Sequence, residues 1–396
     1  MKTRRDFLKC SALLGIAASF PVHFSFAQDT SAKSERDPLL RIPYGHIHAQ
    51  HPKPRVITIP DVGKYKVLKG DFHIHTLFSD GQVMPSARVQ EAVQNGFDCI
   101  AITDHIEYRP YLGGNLVKLA DDRNGDYNLS YTLAKPEADR SNLILIRGAE
   151  ITKMIMPPGH LNAIFLKDVN PIAAVVDDWK KMLEVAVDQG GFITWNHPGW
   201  VAPRSGGLAE GVPMSFTAEH EDVRKKGHLH AIEVFNGSEH YPIVSDWCND
   251  LNLGILATSD IHPSEWQQYG VQNLRRPITL MLAEERSEES IREAFFARRT
   301  IGWVADMIFG RPEWVEKLFA ACIEVVHGSG AVSVKNKGDI LIRLLVKEKE
   351  YELKPQGEAV SISCADGDQC RVTNWFVGTY KPLEFSCEAF RNRFAQ

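Results

Sequence analysis

A chain of 396 residues with 44% hydrophobic and 24% charged residues is long enough for one large domain and a small one, and its balance is that of a globular protein. Its net charge of −5 excludes duplex nucleic acid as a natural partner, because that affinity rests on many Lys and Arg contacts to phosphate. No run of about 18 apolar residues occurs in the body of the chain, which excludes a membrane span there. The 7 cysteines include no CxxC pair, so neither a zinc ribbon nor a dense disulfide framework fits.

The chain opens with "MKTRRDFLKCSALLGIAASFPVHFSFAQD". A basic start, an apolar core from Ser11 to Phe20 and the small-x-small site Ser25-Phe26-Ala27 mark residues 1–27 as a signal peptide. "TRRDFLK" resembles the twin-arginine type, so the expected location is outside the cytoplasm, in the periplasm. Cleavage takes away four basic residues and one acidic residue, which makes the mature chain more acidic still. Residues 28–65 read as an irregular lead-in, and His46, His48 and His51 within it read as surface histidines.

From residue 66 a rhythm begins. "KVLKGDFHIHT" reads as a strand, and "MPSARVQEAVQNG" as a helix with Pro85 in its first turn and Gly96 as its stop. "FDCIAITDH" and "SNLILIRGAEIT" are buried strands, and "PIAAVVDDWKKMLEVAVDQGG" is a helix. "FITWNHPGW", "LHAIEVFNG" and "LGILATSDIH" follow as strands. Apolar runs alternating with helices argue for a parallel sheet covered on both faces. This pattern suits a closed or nearly closed barrel better than a doubly wound sheet, and by itself leaves both open. "SEESIREAFFARRTIGWVA" reads as a charged amphipathic helix. After residue 322 the pattern turns to β-branched alternation in "DILIRLLVKEKEYEL", "EAVSISCADG" and "CRVTNWFVG", so residues 323–396 read as a small all-β, sandwich-like domain. Cys364 and Cys370 flank the turn "ADGDQ" and are near enough to bridge in an oxidising compartment, a point the sequence leaves open.

The histidines carry the chemistry. In "GDFHIHTLFSDG", side chains alternate faces, so His73 and His75 share one while Phe72 and Ile74 enter the opposite layer. His105, Glu150, His197, Asp260 and His262 each follow the apolar part of a strand. In a parallel barrel those ends gather at one mouth, where active sites are built. Imidazoles and carboxylates without a thiolate suit zinc, manganese or iron. With Asp80 and His160 the candidates are too many for one ion, and suit two or three metals sharing Glu150.

These motifs, HxHxxxSDG, TDH, a strand-end Glu, a following His, NHP and DxH, stand in order across residues 71–262 and resemble those of the PHP (polymerase and histidinol phosphatase) family. The resemblance implies a distorted (β/α)7 TIM-like barrel over residues 66–322 and up to three metals at its C-terminal mouth. It implies His73, His75, Glu150 and Asp260 for one metal, Glu150, His160 and His197 for a second, and Asp80, His105 and His262 for a third. The long insertion between His105 and Glu150 departs from the family pattern and makes substrate transfer from relatives unsafe.

The expected activity is hydrolysis of a small phosphorylated substrate, a phosphomonoester or phosphodiester, by a hydroxide shared between two metals beside Glu150, with His197 in the same centre. Arg109 is the expected phosphate-binding cation of the catalytic group, with Lys153 and Arg204 as further cations and Trp200 as a stacking surface. Asp71, Asp104 and Asn196 are expected to orient the imidazoles. Two alternatives remain open: hydrolysis of a C–N bond, and a non-catalytic exported protein that binds metal or a glycan.

Overall fold

The computed structural model describes residues 54–111, 125–152, 157–200, 214–327 and 332–394. The signal peptide and His46, His48 and His51 lie outside them. The sheet is built from β1 (Lys66–Asp71), β2 (Cys99–Ile102), β3 (Ile144–Ile151), β4 (Leu161–Ile164), β5 (Phe192–Trp195), β6 (Ala231–Asn236), β7 (Glu239–His240) and β8 (Gly254–Thr258). It continues through β9 (Ile278–Ala283), β10 (Thr300–Val304) and β11 (Met307–Gly310).

β2, β4, β5, β6 and β8 are buried at every residue, as strands covered on both faces must be. β1, β2 and β3 pair in parallel in that order, and β5 pairs in parallel with β6, which also takes β8. The parallel expectation fails at β4, which runs antiparallel to both β3 and β5. β3 carries Glu150 almost at its end, and only 9 residues separate its last residue from the start of β4, too short a connection for a parallel crossover. An isolated parallel bridge between Ile74 and Ile261 joins the segment after β1 to the segment after β8. Phe72 turns into an apolar cluster with Phe165 and Phe295, so the His73 and His75 side chains are left for the other side.

The helix Pro85–Gln94 has its proline in the first turn and buries Val89 and Ala92, and Gly96 beyond it adopts φ +75°. Two helices are shorter than the sequence suggests. The run from Pro171 to Gly191 breaks into Asn170–Ala173 and Trp179–Asp188, because Asp178 takes an extended backbone and caps the second helix by accepting from the amides of Lys180 and Lys181. The run from Ser287 is helical only over Glu288–Phe296: Arg298 turns left-handed at φ +59°, and "TIGWV" becomes β10. Its branched and aromatic residues fit a buried strand better than an exposed helix.

After the helix Pro312–Cys322 come β12 (Ile323–His327), β13 (Val332–Asn336), β14 (Ile342–Val346), β15 (Lys349–Leu353), β16 (Val360–Ile362), β17 (Gln369–Gly378) and β18 (Lys381–Ser386). The C-terminal region is therefore rich in strands, but it is not all-β, since Cys387–Phe394 closes it as a helix with Phe390 in the core. β17 pairs in parallel with β11, so the C-terminal strands extend the large sheet, while β12, β13 and β16 form a separate one. Cys364 bridges Cys387, with Cα atoms 5.5 Å apart, not Cys370. Cys370 lies on β17 opposite Phe385, buried and free, because Cys364 is already bonded to Cys387.

Candidate metal centre

All nine candidate ligands converge where the segments after the strands meet. Glu150, fully buried, is the hub: Oε2 lies 3.4 Å from His73 Nε2, 3.3 Å from His75 Nε2 and 2.9 Å from His105 Nδ1. Its Oε1 lies 3.0 Å from His160 Nδ1 and 3.6 Å from His197 Nε2. Asp260 Oδ1 is 3.2 Å from His73 Nε2 and 3.0 Å from His75 Nε2, while Oδ2 is 3.9 Å from His197 Nε2. Asp80 faces His75 at 3.5 Å, His105 at 3.5 Å and His262 at 3.2 Å. His197 and Asp260 hold left-handed backbones, at φ +26° and +48°, a strained state in which functional residues are often found.

Five of the six rings, those of His73, His75, His105, His160 and His262, engage Nδ1 in a hydrogen bond. His73 Nδ1–H donates to Glu233 Oε1 at 2.8 Å. His75 Nδ1–H donates to Ser79 Oγ at 3.2 Å, and that hydroxyl donates in turn to Asp104 Oδ1 at 2.6 Å. His262 Nδ1–H donates to the Asp260 carbonyl at 2.8 Å, and His160 Nδ1–H donates to Glu150. The Thr152 hydroxyl bonds His105 Nδ1. These bonds fix the tautomers and leave Nε2 lone pairs inward. His73 Nε2, His75 Nε2, His160 Nε2, Glu150 Oε2, Asp80 Oδ1 and Asp260 Oδ1 are all buried without a hydrogen-bond partner.

Six buried lone-pair atoms turned toward one another are costly unless a cation lies between them. The donor set therefore fits divalent metal ions. Electrostatics point the same way: burial opposes ionisation of Glu150, but His105, His73 and His160 hold its carboxyl well below the usual range. Burial likewise lowers His105, yet Glu150 and Asp80 outweigh it and push the ring up to about 10. A site that attracts protons so strongly in the absence of metal is one that demands positive charge.

The expected orienting groups divide. Asp104 acts on His75 through Ser79 and also accepts from the amide and hydroxyl of Thr76. Asn196 holds a carboxylate instead of an imidazole, donating to Glu150 Oε1 at 2.8 Å. Asp71 binds Ser259 and the buried Arg276 and reaches no ring. Glu233 escapes the sequence reading. A carboxylate inside the apolar run of β6 was its only signal.

The centre opens into a cavity of about 1090 Å³. Trp200 lines it, 4.7 Å from the His160 ring and 5.3 Å from that of His197. Arg109 does not. It stacks on Tyr127 at 4.2 Å, donates to the Phe78 carbonyl and lines a small neighbouring hollow. Lys153 and Arg204 lie outside the described residues.

Comparison with known proteins follows the same lines. A family model of the PHP domain matches residues 71–164. The chain is 34% identical to a two-domain protein from Bacteroides vulgatus ATCC 8482 containing a predicted PHP-like metal-dependent phosphoesterase, with a TM-score of 0.74 over 84% of this chain and 98% of that one. It is 33% identical over 93 residues, 23% of its length, to an uncharacterised protein of Methanocaldococcus jannaschii, of which it spans only 36%. A 15% identity and a TM-score of 0.35 relate it to an amidohydrolase from Chromobacterium violaceum, over 49% of this chain and 87% of that one, and carry no argument about chemistry.

Proposed function

Because this chain belongs to the PHP family, we propose that it hydrolyses phosphoric esters, mono- or diesters, with two or three divalent metal ions. The observation that carries this reading is the set of six buried, unpartnered lone-pair atoms on His73, His75, Asp80, Glu150, His160 and Asp260. His73, His75, Glu150 and Asp260 would hold one ion, Glu150, His160 and His197 a second, and Asp80, His105 and His262 a third. Zinc, manganese and iron all suit such donors. Bound divalent ions supply Lewis acidity, lowering the pKa of water toward neutrality and offsetting charge on phosphoryl oxygens.

The chain's own residues do the rest. Asn196 steers the Glu150 carboxylate, and Glu233 and the Ser79–Asp104 pair lock the two strand-end imidazoles. Trp200 packs against the rings of His160 and His197 at the cavity wall. We propose a distorted (β/α)7 barrel over 66–322 for this arrangement, with the β-rich region over 323–396 joined to its sheet through β11 and β17. The Cys364–Cys387 disulfide supports an exported, periplasmic setting, because such bonds persist in oxidising compartments.

The test is metal analysis of the mature protein, then assays of p-nitrophenyl phosphate and bis(p-nitrophenyl) phosphate before and after chelation and on return of zinc, manganese or iron. Turnover of at least one ester is expected, with a loss of roughly 100-fold or more on chelation and recovery on metal return. Turnover of an amide but of no phosphoester would overturn the proposal.

A further inference from the structure

The cavity extends well beyond the metal ligands. At about 1090 Å³ it lies at the upper end of pockets that hold organic molecules and is far larger than a phosphate needs. Its far side is built from Leu274, Arg275 and Pro277, just before β9, and from the β10–β11 hairpin with Val304, Ala305 and Met307. Tyr108 completes the apolar rim. Tyr108 and Leu274 are 52% and 53% exposed, large apolar surfaces at the mouth of a concave site.

Among the described residues lining this cavity, Arg275 is the only lysine or arginine. It forms no salt bridge among the described residues, although the Asp339 carboxylate acts on it from a distance. Its Nη2 donates to the Ala305 carbonyl at 3.5 Å, and its guanidinium carbon sits 3.5 Å from the centre of the Trp303 ring. Trp303 is itself fixed, 1% exposed, with its indole N–H donating to the Ala305 carbonyl at 3.0 Å. The hairpin tip is clamped from the C-terminal strands: Arg343 pairs with Asp306, and Asn374 Nδ2 donates to the Asp306 carbonyl at 2.5 Å. Burial and the nearby Arg55 push the Arg275 guanidinium down to about 10, which leaves it charged at neutral pH. A cation held on an aromatic face by that stacking and a long bond to the Ala305 carbonyl, with its other N–H groups unspent among the described residues and an apolar wall beside it, is a preorganised anion site.

We propose that Arg275 determines substrate specificity by binding a second anionic group at the far end of a bulky, apolar alcohol half of the ester. The ester itself rests on the phosphoesterase reading above. The site on Arg275 does not, since it recognises the alcohol half alone.

Two pairs of probes separate these readings. Hydrolysis compares 6-carboxy-2-naphthyl phosphate with 2-naphthyl phosphate on metal-loaded full-length protein. Calorimetric titration of the same protein compares the released alcohols, 6-hydroxy-2-naphthoate and 2-naphthol. In the wild type the carboxylated member of each pair is expected to show a roughly tenfold lower KM or Kd, the effect of one charge-assisted hydrogen bond. Arg275→Gln brings the ratio to about one, and Arg275→Lys, which keeps charge but not the planar fork, restores part of it. Equal affinities in the wild type, or a preference that survives Arg275→Gln, overturn the assignment. Preference among the alcohols, with no turnover of either naphthyl ester, of p-nitrophenyl phosphate or of bis(p-nitrophenyl) phosphate, keeps the Arg275 site and removes the phosphoesterase reading. Turnover without preference does the reverse.

Discussion

Glu233 shows how much one side chain contributes to the site without facing the cavity. Fully buried on β6, it accepts from His73 Nδ1, the Thr258 hydroxyl at 2.7 Å, Asn236 Nδ2 at 2.8 Å and the His197 amide at 2.7 Å, so it ties three strand ends together. Glu233→Gln keeps the volume but sets an amide N–H₂ against these donors. We expect metal affinity to fall by about 10- to 100-fold with the fold retained, read by competition with a chelator. Unchanged affinity would remove its positioning role. His230 makes a different prediction. It stacks on Phe192 at 5.0 Å and accepts from the Ile193 amide, and burial, helped by Arg298, His228 and Arg292, lowers it to about 4. The unfolded chain then binds a proton near pH 6.5 that the native state refuses, so stability holds above that pH and is lost as pH falls toward 4. The full effect is roughly 3 kcal/mol. Urea unfolding at pH 7 and pH 4.5 is expected to show a smaller acid loss in His230→Gln than in the wild type, and parallel losses would count against it.

Elements were legible where one local rule governed them. Pro85 and Gly96 bracket their helix, and the strand-end motifs fall where the apolar runs stop, because capping and periodicity act within a few residues. The misreadings come where a local choice competes with apolar pattern. Between Ala173 and Trp179 the valines extend a helical stripe, but the Asp178 carboxylate caps a new helix instead of continuing the old. Removing that cap in Asp178→Ala is expected to lower unfolding free energy by about 1 kcal/mol, measured with denaturant. A change below a few tenths would mean that packing alone sets this boundary.

At the scale of the molecule, β11 and β17 join the motif-bearing strands to the C-terminal ones, and the Asp306 clamp carries that junction to the cavity wall. The disulfide closes the C-terminal end over a separation of 23 residues. Its loss in Cys387→Ser is expected to cost about 3 kcal/mol in unfolding without reductant, through the greater freedom of the unfolded chain. Cys370→Ser has no bridge to lose. If reductant leaves the wild type's stability unchanged, the bond does not contribute.

The sequence by itself determined which nine imidazole and carboxylate side chains would meet. For His73, His75, His105, Glu150, His197, Asp260 and His262 the place at or just after an apolar run is a local property, and parallel strands bring such ends to one side whatever the details of closure. Asp80 and His160 were legible only through the motif resemblance. Only the tertiary structure decided that Glu233 would stand behind His73, that Arg275 instead of Arg109 would line the cavity, and that Cys364 would find Cys387. Those outcomes depend on register and on which segments cross far along the chain, and no periodicity within a strand or helix encodes them.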